Sequence, residues 1–452
     1  EVARIATGLV ANGVRQHDRV AIAMRNYPEW MLAYWAIASI GAVSVGINAW
    51  WTASELQYGL EDSSPKLYIC DAERLERFGE IRDKLPDVKV VTVRTDNTPD
   101  WATPWSDVLA ADPVMPDAAI APDDDACIFY TSGTTGKPKG AQLTHRGCVN
   151  HVLSIVFAAM AQGRAIALAK GDAATDAAAP AKPSALVTTP MFHVTANNAV
   201  AQGVTMGGGK LVFMYKWDPG EALKIIETEQ ITTLSGVPTM SRELISHPDF
   251  ASRDTSSLAQ LAGGGAPMQP DLVDKINKAG GNAKPGQGYG MTETCGIISS
   301  SAGYFLSEKP ASAGFVLPIF DVKCLDAAGT TLPRGESGEI YVRGAQVIKG
   351  YLNRPEATAE TIVDGWLRTG DIGYLDEDNF IYLVDRAKDM VLRGGENVYC
   401  SEVEATIYEH RVLRHGTGQS HRPGQGRCGI GARGPGRAFC AGHHPDVSRD
   451  RQ

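Results

Sequence analysis

The densest concentration of chemistry in the chain is the run Tyr130-Thr131-Ser132-Gly133-Thr134-Thr135-Gly136-Lys137-Pro138-Lys139-Gly140. Its three glycines let backbone amides approach a polyanion, its four Ser/Thr hydroxyls offer hydrogen bonds, and its two lysines supply charge. Such a run suits a loop that cradles phosphates. It is not the G-x4-GK[ST] loop, because Pro138 follows Lys137. Further along there is a glycine run at Gly263-Gly264-Gly265-Ala266-Pro267, and glycines alternate with ionisable or aromatic residues at Gly288-Tyr289-Gly290-Met291-Thr292-Glu293 and Gly365-Trp366-Leu367-Arg368-Thr369-Gly370-Asp371. His193 ends Met191-Phe192-His193, directly after a strand-like run that closes at Pro190.

These groups need elements to hold them. The apolar run Ala126–Tyr130 reads as the strand that delivers the phosphate loop. Before it, residues 1–120 alternate helix and strand: an amphipathic helix at Val2–Ala11, then strands at Arg19–Met24, Leu67–Cys70 and Val88–Val93. That alternation predicts an α/β body with a mostly parallel sheet. Thr95–Asp125, rich in Pro, Asp and Ala, is expected to cross the surface, and the alanine-dominated Ala161–Pro183 to be a mobile loop or insertion. Strands recur at Leu186–Thr189, Leu211–Met214 and Thr232–Ser235. After about residue 310 short strands alternate with turn signals, at Asp321–Leu325, Glu339–Arg343, Phe380–Val384 and Met390–Leu392. They predict a small antiparallel β-barrel added to the body. A helix is expected to start at Glu402.

Composition narrows the function classes. The chain has 452 residues, a formal net charge of −9 and 43% hydrophobic residues, which excludes a mainly disordered chain and is not the basic footprint of a general nucleic-acid binder. Its eight cysteines (Cys70, Cys127, Cys148, Cys295, Cys324, Cys400, Cys428, Cys440) form no CxxC pair, so they are expected to be reduced core residues of a cytoplasmic protein. Trp30–Trp51 contains no charge over about the length a bilayer needs. Gly41 and the alternating run that follows it argue instead for a buried helix and a covered strand, so no transmembrane span is expected, though peripheral membrane contact is compatible with the sequence.

The phosphate loop resembles the signature of the adenylate-forming superfamily: acyl-CoA synthetases, non-ribosomal peptide adenylation domains and firefly luciferase. The resemblance continues in the family's order through Met191–His193, Gly263–Pro267, Gly288–Glu293, Tyr351-Leu352-Asn353-Arg354-Pro355, Gly365–Asp371, Asp385-Arg386-Ala387-Lys388-Asp389-Met390 and Arg393-Gly394-Gly395-Glu396-Asn397-Val398, covering residues 1 to 410. It implies ATP, Mg²⁺ and coenzyme A as co-substrates or cofactors, with a carboxylic acid as partner. It places Thr131, Ser132, Gly133, Thr134, Thr135, Gly136, Lys137 and Lys139 at the ATP phosphates. Gly265, Ala266, Pro267 and Tyr289 fall on the adenine side, Thr292 at the α-phosphate, Glu293 on Mg²⁺, and Asp371 and Arg386 at the ribose. His193, Val237 and Gly265 would line the acyl pocket, Lys388 would be the hinge, and Gly395 would line the pantetheine tunnel. The general spelling, with Thr195-Ala196-Asn197-Asn198 after the histidine, is most like bacterial fatty-acyl-CoA ligases. The implied reaction is attack of a carboxylate on the α-phosphate of ATP with pyrophosphate release, then transfer of the acyl group to coenzyme A, within lipid metabolism.

The chain departs from the family after His410. Residues 411–452 hold eight Arg, nine Gly, four His and two Asp, a net +6 against −15 for residues 1–410, and no Lys follows Lys388. The family continues with a packed domain bearing a catalytic lysine. The expected organisation is therefore an adenylating domain at 1–386 with an incomplete N-terminus, a hinge and the start of a truncated α+β domain at 387–410, and an aberrant, unstructured tail at 411–452. A frameshift, a divergent tail and a basic nucleic-acid arm are the three readings of that tail. Cys428, Cys440, His443 and His444 fit no standard metal spacing. Impaired catalysis, or a catalytically crippled protein that still binds ATP or acyl groups, is the functional alternative.

Overall fold

A computed structural model describes residues 1–131, 137–169, 171, 182–266, 268–279 and 281–386, with the backbone of 391–393 and 396–398. Ser132, Gly133, Thr134, Thr135, Gly136, Pro267, Lys388 and Gly395 lie outside the described residues, as do the expected helix at Glu402 and the tail 411–452.

The first sheet is built by β1 (Arg19–Ala23), β2 (Val43–Gly46), β3 (Leu67–Asp71), β4 (Lys89–Val93), β5 (Ala102–Pro104), β6 (Asp125–Thr131) and β7 (Lys139–Thr144). The second contains β8 (Ser184–Val187), β9 (Lys210–Phe213), β10 (Thr233–Gly236), β11 (Gln260–Gly263), β12 (Lys284–Met291), β13 (Gly296–Ala302) and β14 (Gly314–Val316). It continues through β15 (Phe320–Leu325), β16 (Gly338–Gly344), β18 (Ile362–Val363), β19 (Trp366–Leu375) and β20 (Phe380–Arg386). The short β17 (Gly350–Tyr351) joins the edge of the first sheet beside β7.

The parallel body expected from the sequence is present in both sheets. β1 lies between β2 and β3 in parallel register, and β8, β10, β11 and β12 are also parallel. β1 to β3 are buried on both faces along nearly their whole length, as a sheet covered by helices requires. The antiparallel strands after residue 310 are present too. Those up to β20 are hydrogen-bonded to the second sheet through the β14–β20 pair and form an antiparallel extension of it, whereas Val391–Arg393, at the expected Met390–Leu392 strand, pairs instead with Glu396–Val398 in a separate two-stranded sheet.

Trp30–Trp51 is a buried helix, Pro28–Ser39, followed by β2. Gly41 at φ +68° makes the turn between them, a conformation that side-chain-bearing residues rarely adopt. The expectation of a loop from Ala161 needs correction. The helix that starts at His145 runs through Ala169, because Ala161, Ala165, Ala167 and Ala169, with Gln162, Arg164 and Leu168 between them, are good helix formers. Its buried side is Gly147, Cys148, His151, Ser154 and Ala158. Among the described residues it is the one helix long and apolar enough to cross a membrane by length and composition, with 11% of its apolar window buried. Thr95–Asp125 also contains more order than expected, with β5 and a short helix, Trp105–Leu109, that buries Val108. Cys70, Cys127, Cys148, Cys295 and Cys324 are buried free thiols, in line with the expected core role.

Candidate functional site

The site is built from turns at the ends of strands, and it has a polar end and an apolar end. At the polar end, β6 and β7 are antiparallel neighbours that bring Thr131 opposite Lys139, with the Thr131 hydroxyl donating to the Lys139 carbonyl at 3.4 Å. The two chain segments that enter and leave the phosphate loop are therefore clamped together. Tyr58 fixes the outgoing side. Its hydroxyl donates to the Pro138 carbonyl at 2.7 Å, and the Lys137 ammonium lies 5.2 Å from its ring centre.

β12 ends in the turn that carries Thr292 and Glu293. Gly290 is obligatory in this strand: a Cβ there would lie 1.9 Å from the Gly296 carbonyl oxygen. Glu293 is buried, 7% exposed, and its Oε1 accepts a 2.7 Å hydrogen bond from the Tyr351 hydroxyl. The Lys139 ammonium sits 4.3 Å from the ring centre of Tyr351. Burial and the neighbouring Glu293 carboxylate push the Tyr351 phenol well above its ordinary range, so it remains a donor. Lys139, Tyr351 and Glu293 thus form a continuous cation–aromatic–carboxylate unit from three separate motifs. Tyr351 is a site residue that its motif alone does not assign. The signal that would find it is the β7–β17 pairing, which sets Tyr351 opposite Ala141.

The third part of the polar end is a carboxylate held from two sides. Tyr289 donates to Asp371 Oδ2 at 2.7 Å, and Arg386 Nε lies 3.4 Å from Asp371 Oδ1. Asp371 and Arg386 face each other directly in the β19–β20 ladder. Burial raises the Asp371 carboxyl pKa, while the Tyr289 hydroxyl and Arg386 oppose the shift. Tyr289 itself is pushed well above its ordinary range, first by burial and then by the Asp371 charge.

The apolar end is a cavity of about 560 Å³. Its floor comes from β8, β10 and β11 and its roof from the helix His145–Ala169 and the segment that follows His193. That segment, Thr195–Gln202, is a π-helix, a widened form that is often found at functional sites. One face is anchored by polar groups. Asn197 Oδ1 accepts from the Trp30 indole at 3.1 Å, Asn198 donates to the Cys295 carbonyl at 3.0 Å, and Gln202 donates to the Tyr34 hydroxyl at 2.8 Å. The other face turns Thr195, Ala199 and Val200 to the cavity. Asn197 and Asn198 stand in the Thr195–Asn198 run singled out in the sequence, but that run gives them no anchoring role and does not reach Gln202; two buried Asn and a Gln within one helix are an unusual use of polar residues.

Gly265 lines the cavity. It has φ +75° and open space where a Cβ would stand. His193 and Val237 lie outside the lining. His193 adjoins the lining residue Val194 and packs against Phe192 with ring centres 4.7 Å apart, and Val237 caps the helix Pro238–Ser246. Burial lowers the His193 pKa, which favours a neutral imidazole near pH 7. Ala266 is exposed beside Gly265, and Thr292 is half-buried before Glu293.

Among the described residues no group of three or more His, Cys, Asp or Glu could cage a metal ion. Glu293 offers a single hard oxygen donor. That suits Mg²⁺, which is commonly held by one or two carboxylates together with substrate phosphates.

The family of AMP-binding enzymes matches residues 1–352. Among curated proteins, a feruloyl-CoA synthase of Amycolatopsis sp. is 37% identical over 408 residues, covering 90% of this chain and 76% of its own length. A 4-coumarate–CoA ligase of Oryza sativa subsp. japonica is 34% identical over 416 residues, covering 91% of this chain and 72% of its own. Among solved structures, ATP-bound MatB from Rhodopseudomonas palustris matches with a TM-score of 0.78 at 30% identity, over 90% of this chain and 76% of that one. A fatty acyl CoA synthetase of Mycobacterium tuberculosis matches with a TM-score of 0.72 at 29% identity, over 91% and 76%. The resemblance read from the motifs is confirmed: this chain belongs to the AMP-binding enzyme family, as an acid–thiol ligase that uses ATP, Mg²⁺ and coenzyme A.

Proposed function

We propose that the acid activated here has an uncharged, elongated acyl group, such as a fatty or arylpropenoic acid. The observation that supports this reading is the cavity lining, in which no Asp, Glu, Lys, Arg or His appears. A second carboxylate on the acyl group would enter this apolar cavity without a counter-charge, which is strongly unfavourable. The relatives named for feruloyl and 4-coumaroyl substrates and the fatty acyl synthetase fold neighbour both fit an uncharged group.

In this reading Thr131, Lys137 and Lys139 hold the ATP phosphates together with the loop between them. Tyr289 packs on the adenine side, Asp371 accepts the ribose hydroxyls and Arg386 reaches the ribose. Thr292 orients the α-phosphate. Glu293 is the Mg²⁺ ligand, and the ion would neutralise phosphate charge as pyrophosphate leaves. Tyr351 fixes the Glu293 carboxylate and links it to Lys139. His193, neutral, donates its ring N–H to the substrate carboxylate at the cavity entrance, and Gly265 leaves room for the acyl chain to pass the adenine loop. Most of the barrier reduction then comes from positioning and preorganised charge rather than covalent help. Lys388 as hinge, Gly395 at the pantetheine tunnel and the 1–386, 387–410 and 411–452 division belong to the same proposal, as does a cytoplasmic location. Impairment by the unusual tail is a further reading to test.

The test is pyrophosphate release with hydroxylamine trapping, across 4-coumarate, ferulate, straight-chain acids and dicarboxylic acids. Release with the uncharged acids and none with the dicarboxylic acids is expected. Release from dicarboxylic acids alone would refute the reading. ATP binding without release from any acid would favour a crippled binding protein.

A further inference from the structure

We propose that Asp62 is a positioning residue for ATP: its buried carboxylate holds both the strand end that bears Thr131 and the segment that bears Lys137 and Lys139, a role that rests on reading those three as the residues that hold the ATP phosphates. Asp62 lies outside all of the motifs that carry the family resemblance.

Asp62 stands in the last turn of the helix Ala53–Ser63. A carboxylate there opposes the helix dipole, which favours cations at that end. Its side chain is also only 7% exposed. A charge in so unfavourable a place needs partners. The partners of Asp62 all lead to the phosphate-holding residues.

One route runs to the incoming strand. Tyr130 directly precedes Thr131 at the end of β6. Its hydroxyl donates to Asp62 Oδ2 at 2.9 Å, with the uncharged Gly59 carbonyl at 3.2 Å as the weaker acceptor. Burial, then the Asp62 charge, pushes the Tyr130 phenol well above its ordinary range, so it stays a donor.

The other route runs to the outgoing segment through two side chains. Arg354 Nη2 lies 3.0 Å from Asp62 Oδ1 and donates to the Tyr58 hydroxyl at 3.2 Å. That hydroxyl donates in turn to the carbonyl of Pro138, the residue between Lys137 and Lys139, and the Tyr58 ring faces the Lys137 ammonium. A hydroxyl that accepts from a guanidinium is polarised into a stronger donor. The backbone delivers Arg354 to this place. The Leu352 amide donates to the Gly140 carbonyl at 2.8 Å, and Asn353 takes φ +54°, a conformation that Asn tolerates. The Asn353 side chain then donates to the backbone carbonyl of Asp62 at 2.9 Å. Asp62 is thus the junction at which three distant chain segments meet. An ion pair with a merely structural role would lower stability when broken and leave ATP affinity unmoved.

The experiment is pyrophosphate-release kinetics against MgATP and against the acid, with ATP binding followed by calorimetry and urea midpoints as the measure of folding. Tyr130→Phe and Tyr58→Phe keep both rings and remove one hydroxyl each. Each should raise KM for MgATP and Kd for ATP by about three- to tenfold, with KM for the acid within about twofold. Asp62→Asn should raise them by about tenfold or more, since it removes the charge that both routes share. Added to the double phenylalanine variant, it should change them by no more than about twofold, because both routes are already cut. Unaltered ATP constants in both phenylalanine variants, or an Asp62→Asn protein that is less stable in urea yet binds ATP like wild type, would overturn the positioning role. If Asp62→Asn does not fold, the two phenylalanine variants decide alone. Unchanged ATP binding in Lys139→Ala would overturn the underlying reading of the phosphate-holding residues, and the role of Asp62 with it.

Discussion

The two ends of the site are built on opposite plans. The polar end depends on a few residues, each fixed by a partner: Glu293 by Tyr351, Asp371 by Tyr289 and Arg386, Thr131 by the strand that carries Lys139. The apolar end depends on no single residue. It is a space bounded by uncharged side chains from five strands, β8 and β10 to β13, and from the helical segments between 155 and 162 and between 194 and 207. Positioned charge is costly to lose, because one partner is left buried without compensation. A wall of uncharged residues drawn from many positions redirects preference instead when one of them changes size. Substitutions at the first end should lower turnover of every acid alike, and substitutions at the second should reorder the acids.

The largest effect is expected at Glu293. Glu293→Gln should reduce Mg²⁺-dependent pyrophosphate release by about 10²- to 10³-fold for all acids, as expected for removing one preorganised electrostatic group from a phosphate-transfer site. Steady-state kinetics against MgATP would show it, and a loss restricted to one acid would erase the distinction between the two ends.

A second effect concerns the helix that roofs the cavity. His151 lies on its buried side, and burial lowers the imidazole pKa to about 4. The unfolded chain then binds the extra proton below its ordinary pKa of about 6.5, while the folded chain resists it down to about 4. Stability is thus fully present above about pH 6.5 and is lost as pH falls towards 4, by up to about 3 kcal/mol. Urea midpoints at neutral and acidic pH should diverge in wild type, and His151→Gln should reduce that divergence. Parallel pH dependence in both proteins would contradict the assignment.

At the apolar end, Ala262→Leu adds volume to the cavity floor. It should raise KM for the bulkiest acid by about tenfold while KM for ATP stays within about twofold, because overpacking a site costs ~1–3 kcal/mol locally. Equal changes in both constants would mean that the two ends are not separable. The smallest effect is expected at Tyr351→Phe, which removes one hydrogen bond to Glu293 and keeps the ring under Lys139. A loss of about three- to tenfold in kcat is expected, in line with ~1 kcal/mol net for a single intramolecular hydrogen bond.

The same contrast explains what can be read in the sequence. The polar end is legible because its residues sit in short motifs whose order is itself informative: Gly288–Glu293 and Gly365–Asp371 are recognisable from their residues alone. Tyr351 stands in a motif of the same kind, yet its role depends on a pairing between β7 and β17, some two hundred residues apart. The acyl end is not legible. Its lining comes from positions between 155 and 300 that share only a common space. Within the fold, alternation locates most parallel strands to within a residue or two, but β12 and β13 escape it, because glycine-rich and serine-rich strands carry no apolar periodicity. The alanine-rich helix end at Ala161–Ala169 reads as a loop when low complexity is weighted over helix propensity.

The central claim is that a charged nucleotide end activates acids whose acyl group meets only uncharged walls. The most direct test is a matched pair, octanoate against its ω-carboxylated counterpart suberate, in hydroxylamine-trapped pyrophosphate release at saturating MgATP. The account predicts release with octanoate and at least about 10²-fold lower kcat/KM with suberate, the cost of burying a second unpaired carboxylate. Equal or faster turnover of suberate would contradict it.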